Sequence, residues 1–79
     1  MPIVFCYHGY KFFFYSNEGD PREPIHIHVR QGRSEAKFWL DPVYFASSDG
    51  FNATVLRELM QVVKDNSELI ERAWHDYFA

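Results

Sequence analysis

The amino-acid sequence predicts an α+β domain, in which a four- or five-stranded antiparallel sheet is followed by C-terminal helix packed on one face of the sheet. Three observations lead to this prediction. The first half of the chain consists of short β-prone segments, two of these segments alternate polar and apolar side chains, and apolar residues recur at helical spacing in the second half. With 79 residues the chain has room for a single domain, with a sheet over residues 1–46 and a helical part over residues 52–78.

Turn residues separate the β-prone segments of the first half. His8-Gly9 is a plausible two-residue turn. The stretch 16–24 is predicted as a loop, because it contains the turn-forming residues Asn17, Gly19, Asp20, Pro21 and Pro24. Asp41-Pro42 ends the fourth strand, because proline lacks the N–H that a strand ladder needs. The predicted strands are residues 3–7, 10–15, 25–30, 34–40 and, as a short fifth strand, 43–45.

The helical part follows a predicted break at residues 47–50. Asn52 is a good N-cap for a helix that starts after it, since its side-chain oxygen can accept a hydrogen bond from a free backbone N–H. Apolar residues then recur at helical spacing from Leu56 to Tyr77. Asp65-Asn66 interrupts this pattern, so one bent helix and two short helices are both possible.

Charge is unevenly distributed along the chain, whose formal net charge is −3. Residues 1–40 carry five basic and four acidic side chains, whereas residues 41–79 carry three basic and seven acidic ones. An acidic chain is a poor general binder of nucleic acid, because its carboxylates repel phosphates. A near-neutral sheet on an acidic helical part still permits a small RNA contact, and it fits a protein partner at least as well.

The apolar and cysteine content bears on location. Cys6 is the single cysteine, so it cannot form an internal disulfide, and its apolar strand predicts a buried small hydrophobe. No segment reaches the ~18 apolar residues of a membrane span, and no secretory leader is recognisable. These features predict a cytoplasmic protein without membrane association. Aromatic residues make up 19% of the chain, more than a small core needs, so we expect some rings to be exposed at an interface.

Strand alternation predicts a candidate functional surface on the side of the sheet that faces away from the helices, here called the outer face. Ile25, Ile27 and Val29 are predicted to point toward the helices, so that the residues between them point outward. Pairing with residues 34–40 and 10–15 adds further cations and rings to the same side. The predicted binding surface comprises Phe13, Tyr15, His26, His28, Arg30, Lys37 and Trp39.

Three kinds of function fit such a surface. His26 and His28, spaced as His-x-His on a strand, are weak candidate metal ligands, because two imidazoles are too few for a site unless Asp41, His8 or His75 converges on them. No other cofactor is predicted. Nucleic-acid binding would use the cations and rings, and the same two imidazoles are candidate catalytic groups for cleaving RNA.

A protein interface is the third kind, since aromatic residues and arginine are enriched in interfaces and exposed strand edges accept a partner or a second copy. The alternative to all three is structural. His26 and His28 would then be polar positions on a half-solvated strand, and Trp74, Tyr77 and Phe78 would belong to the core.

Several motifs resemble those of a small prokaryotic family known as a domain of unknown function. They are GYKFFFYSNE at residues 9–18, PIHIHV at 24–29, AKFWLDP at 36–42 and the ending ELIERAWHDYF at 68–78, in the family's order along essentially the whole chain. The family tends to begin its first helix with a capping box of Ser and a Glu three positions on, where this chain has Asn52 and Val55.

This resemblance implies a gene-pair context. Members of the family are often encoded beside another small protein and are suspected of forming toxin–antitoxin-like pairs, and some are loosely labelled transcriptional regulators. The resemblance brings no established activity and no catalytic residues. We therefore expect a partner-binding component of such a pair, with a small protein encoded nearby as its partner and a homodimer or an RNA contact as further possibilities. The alternative is a small RNA-binding or RNA-cleaving enzyme that uses His26 and His28, with or without a metal.

Overall fold

The computed structural model describes residues 2–16 and 23–78 and has the predicted α+β architecture. Five antiparallel strands form one sheet, and two helices follow. The elements are β1 (Ile3–Tyr7), β2 (Tyr10–Phe13), β3 (His26–Gln31), β4 (Ser34–Leu40), β5 (Val43–Asp49), α1 (Ala53–Asp65) and α2 (Ser67–Phe78). The predicted loop at residues 16–24 lies mostly outside the described residues.

The strands lie in the sheet in the order in which they occur along the chain, so each strand pairs with its sequence neighbours. The predicted turn between the first two strands is confirmed. His8 and Gly9 both have positive φ angles, of 48° and 85°, which is the combination that joins two twisted strands through two residues. Tyr7 and Tyr10 then pair directly on either side of the turn.

The fifth strand is longer than the sequence predicted. It continues to Asp49, so the break expected at residues 47–50 begins only at Gly50, whose φ is 97°. Ser47 and Ser48 have weak strand propensity, but their pairing with Lys37 and Ala36 of β4 holds them in the ladder. The second strand, in contrast, ends at Phe13 rather than at residue 15.

The core lies between the two helices and one side of the sheet, here called the inner face. As predicted, Ile27 and Val29 are fully buried on it and Ile25 packs against its margin. The alternating residues of β4 are buried on the same side. The buried apolar cluster consists of Phe12, Phe14, Ile27, Val29, Ala36, Phe38 and Leu40 from the sheet part and Leu59, Val62, Val63, Ile70 and Trp74 from the helices.

The helical part consists of two helices, which resolves the alternative that the sequence left open. Asn52 is the N-cap of α1, and its Oδ1 accepts a hydrogen bond of 2.9 Å from the backbone N–H of Val55. Asn66 separates the helices, because its side-chain amide donates to the carbonyl of Val62 at 2.8 Å while its own carbonyl accepts from Ile70 at 3.0 Å. No helix in the described part of the chain is long and apolar enough to span a membrane.

Two predictions of burial are wrong. Cys6 is exposed, because its pairing with Lys11 places it on the outer face of the hairpin and not on the side that packs against the helices. Tyr77 is 44% exposed. Trp74, which is three residues earlier on α2, is the residue that is buried in the core. Tyr77 lies beside it at the surface.

Candidate binding surface

The strand register places the predicted surface residues on one side of the sheet. His28 of β3 pairs with Phe13 on one flank and with Lys37 on the other. His26 pairs with Trp39, and Arg30 lies on the same side two residues beyond His28. Tyr15 follows the end of β2, and its ring centroid lies 4.5 Å from that of His28. Trp39 and both imidazoles therefore share the outer face.

Both imidazoles are buried, which corrects the expectation of a half-solvated strand. His26 is 0% exposed and His28 is 6% exposed. The Nδ1 of His26 lies 2.8 Å from the carbonyl oxygen of Pro24, to which it donates because a carbonyl only accepts. Its ring centroid is 5.5 Å from that of Trp39 and 5.0 Å from that of Trp74 in α2. The His26 ring thus contacts both Trp39 and α2, so the outer face is not free of the helices at His26, contrary to the prediction.

His28 is packed among aromatic rings and beside a carboxylate. Its ring stacks on Phe13 at a centroid distance of 5.6 Å, and Tyr15 meets it edge-on. Its Nδ1 lies 3.7 Å from the Oε2 of Glu35. Phe13 is itself 0% exposed, so the centre of the outer face is a packed cluster of rings and not an open surface.

Glu35 organises the polar part of this cluster. It accepts hydrogen bonds from the Tyr15 hydroxyl at 2.9 Å and from the Arg30 guanidinium at 2.8 Å, and Arg30 also donates to the Tyr15 oxygen at 3.0 Å. Partial burial raises the pKa of Glu35, but the hydrogen bonds from Arg30 and Tyr15 outweigh it, so this pKa lies below its ordinary value. Burial and the bond to Glu35 raise the pKa of Tyr15.

The sequence interpretation omitted Glu35, although the signal for it was present. The alternation that predicted Lys37 and Trp39 on the outer face also places Glu35 there, two residues earlier on the same strand. Its partner Arg30 was predicted, and Arg30 lies directly opposite Glu35 in the register.

Lys37 and Trp39, both half-buried, lie on the side of the outer face toward β5. The Lys37 Nζ lies 4.4 Å from the Trp39 ring centroid, a cation–π contact, and 3.5 Å from a carboxylate oxygen of Glu23. Tyr44 of β5 extends this side, since its ring centroid is 6.3 Å from that of Trp39 and it is 51% exposed. Lys37, Trp39 and Tyr44 together form the rim of the outer face.

A shallow concavity of about 200 Å³ opens between β4 and β5 next to the rim. His28, Glu35, Lys37, Ser47 and Asp49 contribute to its lining. Among the described residues, no three His, Cys, Asp or Glu side chains are grouped so as to hold a metal ion. His26 and His28 therefore gain no third ligand from Asp41, His8 or His75.

The comparisons with known proteins bear on the family of the chain and not on its activity. A family profile described as "Domain of unknown function (DUF4160)" matches residues 9–75. No curated protein and no solved structure matches the chain. The matched segment runs from the turn before β2 into α2, and so includes most of the sheet, the outer-face cluster and the rim. The chain therefore belongs to the DUF4160 family.

Proposed function

We propose that this protein is the partner-binding component of a toxin–antitoxin-like or regulatory gene pair, and that it binds a small protein partner through the rim. The observation that carries the proposal is the position of Trp39, which is partly exposed beside the half-exposed Tyr44 on two strands that are paired with each other. A preorganised aromatic pair loses little side-chain freedom on binding and offers a large apolar area to a partner.

The state of the cations favours a protein over a nucleic acid. Arg30 is paired with Glu35 at 2.8 Å, and Lys37 is paired with Glu23 at 3.5 Å. Each pairing offsets the positive charge that a phosphate backbone would need, and the chain as a whole is acidic. A protein partner requires no such excess of positive charge, because interfaces are built around apolar anchors with a polar border.

The test is binding of the product of the adjacent gene, measured by calorimetry with the purified chain. Trp39→Ala removes the central ring of the rim, and we expect it to weaken binding by about 2 kcal/mol, roughly thirtyfold. Tyr77→Ala is the control, because Tyr77 is an exposed aromatic residue that lies on α2 and not on the rim. The proposal fails if the two proteins form no complex, or if the Trp39 and Tyr77 variants bind equally well.

RNA cleavage is the second candidate, because His28 lines the concavity together with Glu35 and Lys37, which gives one small site both acid–base and cationic groups. The near-complete burial of both imidazoles counts against it, since a general base must come within hydrogen-bonding reach of a ribose hydroxyl. Growth of a bacterial host during induced expression separates the two candidates. Arrest by the wild type and rescue by a folded His26→Ala/His28→Ala variant would favour the enzyme, and normal growth with both would favour partner binding.

A further inference from the structure

Strand β5, which carries Tyr44 of the rim, forms one edge of the sheet. Within residues 2–16 and 23–78, β5 pairs with β4 alone, so its far side presents backbone N–H and C=O groups without a neighbouring strand. Proteins usually protect such an edge with lysine, proline, an inward-pointing charge or a β-bulge. The segment Val43–Asp49 contains neither lysine nor proline. The pairing of β5 with β4 shifts register once, because Phe38 pairs with Phe45 and Lys37 pairs with Ser47. Ala46 is therefore the extra residue of β5, and it interrupts the edge there.

The same strand exposes large apolar side chains on both of its faces. Tyr44 belongs to the rim on the outer face, and Phe45, on the inner face, is 46% exposed. Phe45 forms one wall of a mainly apolar groove of about 190 Å³ between β5 and α1. Phe38, Leu56 and Met60 also line this groove, and Arg57 adds one cationic side chain to it. A strand laid along this edge would find hydrogen-bonding groups, one aromatic ring above the sheet and a groove for a side chain below it.

Charge at the two ends of β5 indicates what kind of strand fits. Asp41 precedes the strand and Asp49 ends it, both are exposed, and residues 41–50 contain no lysine or arginine. A second copy related by a two-fold axis would pair antiparallel, and in the register centred on Phe45, which pairs the whole length of β5, Asp49 of each copy lies near Asp41 of the other. Like charges facing each other across strands are destabilising, whereas basic residues at both ends of a different strand would be attracted.

We propose that the partner contributes an extended segment that adds to the edge of β5. The segment inserts an apolar side chain into the groove between Phe45 and Met60, packs a second against Tyr44, and carries lysine or arginine at both ends. This inference deepens the proposed function and rests on it. The accessible rim and the edge are continuous through Tyr44, so a single extended segment can contact both.

The first experiment selects binders from a random twelve-residue peptide library displayed on phage, with the full chain as bait. We expect the enriched peptides to alternate apolar residues and to carry basic residues at both ends. Phe45→Lys should weaken the binding of these peptides at least about tenfold. The substitution replaces an apolar wall of the groove with a charged side chain, and a lysine on an edge strand opposes the addition of another strand. Leu69→Lys is the matched control, since Leu69 is also 46% exposed but lies on α2, and it should leave binding within about twofold.

A charge reversal provides the sharper test. Asp41→Lys/Asp49→Lys should change the selected peptides from basic to acidic ends, while circular dichroism and thermal unfolding remain as in the wild type, because both positions are exposed. The proposal is overturned if the wild type enriches no peptides beyond those obtained with the Phe45→Lys bait. It is also overturned if the charge reversal leaves the preference for the peptide ends unchanged.

The same variants separate this inference from the proposed function. If the product of the adjacent gene binds and Trp39→Ala weakens it, but Phe45→Lys and the charge reversal have no effect, then the strand-addition inference is wrong and the proposed function stands. If that product does not bind the wild type at all, the proposed function has failed, and the inference falls with it. If the edge variants and Trp39→Ala all weaken binding, both hold.

Discussion

Replacing Glu35 with glutamine would test whether its carboxylate holds the outer-face cluster together. Glutamine has nearly the same shape but no charge, so the substitution weakens the hydrogen bonds from Arg30 at 2.8 Å and from Tyr15 at 2.9 Å without leaving a cavity. Hydrogen bonds to a charged group contribute about 1.5–3 kcal/mol each when buried. The Glu35 side chain is 32% exposed and glutamine still accepts one bond, so we expect a net loss of about 1.5 kcal/mol.

The assay is urea unfolding, followed by thermal unfolding as an independent measure. For a domain of this size, a loss of about 1.5 kcal/mol corresponds to a decrease in Tm of about 6–12 °C. Glu58→Gln is the matched control, because Glu58 accepts a single, longer hydrogen bond of 3.2 Å from Tyr7 at an exposed position. We expect that control to change the free energy of unfolding little, since exposed polar pairs contribute little to stability.

The pH dependence gives a second measure with a definite sign. The pKa of Glu35 is lower in the folded chain than its ordinary value of 4.5, so the folded state favours the ionised form. Its contribution to stability is therefore fully present above that ordinary value and is lost as the pH falls through the lower, folded-state pKa. The gap between the wild type and Glu35→Gln should close as the pH falls below 4.5 to the acid end of the titration. A gap that persists there, or a loss no larger than that of Glu58→Gln, would refute the role of the charge.

Two further substitutions test the core and a turn. Trp74→Ala should lower the free energy of unfolding by about 3–5 kcal/mol, because the ring is 4% exposed. Tyr77→Ala, measured in the same urea titration, should cost under about 1 kcal/mol, and equal losses would contradict this placement. Gly50→Ala should cost about 2–4 kcal/mol, because Gly50 has φ of 97° and the added Cβ would lie 3.1 Å from the Ser34 Cα. Gly32→Ala, with φ of 60° and open space, should cost about 1 kcal/mol, and the reverse order of losses would contradict the reasoning.

The fold could be predicted from the sequence wherever a pattern is local. Alternation identified both faces of β3 and β4, and His8-Gly9 identified the first turn, because side-chain period and turn geometry are set by a few neighbouring residues. The end of β5 could not be predicted in this way. Ser47 and Ser48 belong to the strand through their pairing with β4, and a propensity reading contains no information about that pairing.

The sequence predicted which residues lie next to one another on the candidate surface, but it did not predict how deeply they are buried. Alternation placed His26 and His28 on the same side of the sheet as Lys37 and Trp39, in agreement with the register. It could not give their burial, which depends on rings from other elements, such as Trp74 of α2 beside His26 and Tyr15 beside His28. Whether a residue on the free side of a sheet is exposed is decided by tertiary packing, and the period of two fixes only the direction of the side chain.

The different environments of Trp39 and Trp74 have a spectroscopic consequence. These two residues are the only tryptophans of the chain, one partly exposed on the rim and the other buried in the core. Their indole emission should therefore differ in wavelength, with Trp39 responding to a partner at the rim and Trp74 to the loss of the core. A Trp39→Phe chain isolates the second signal. The protein thus carries its own optical reporters for docking and for unfolding, and neither requires an added label.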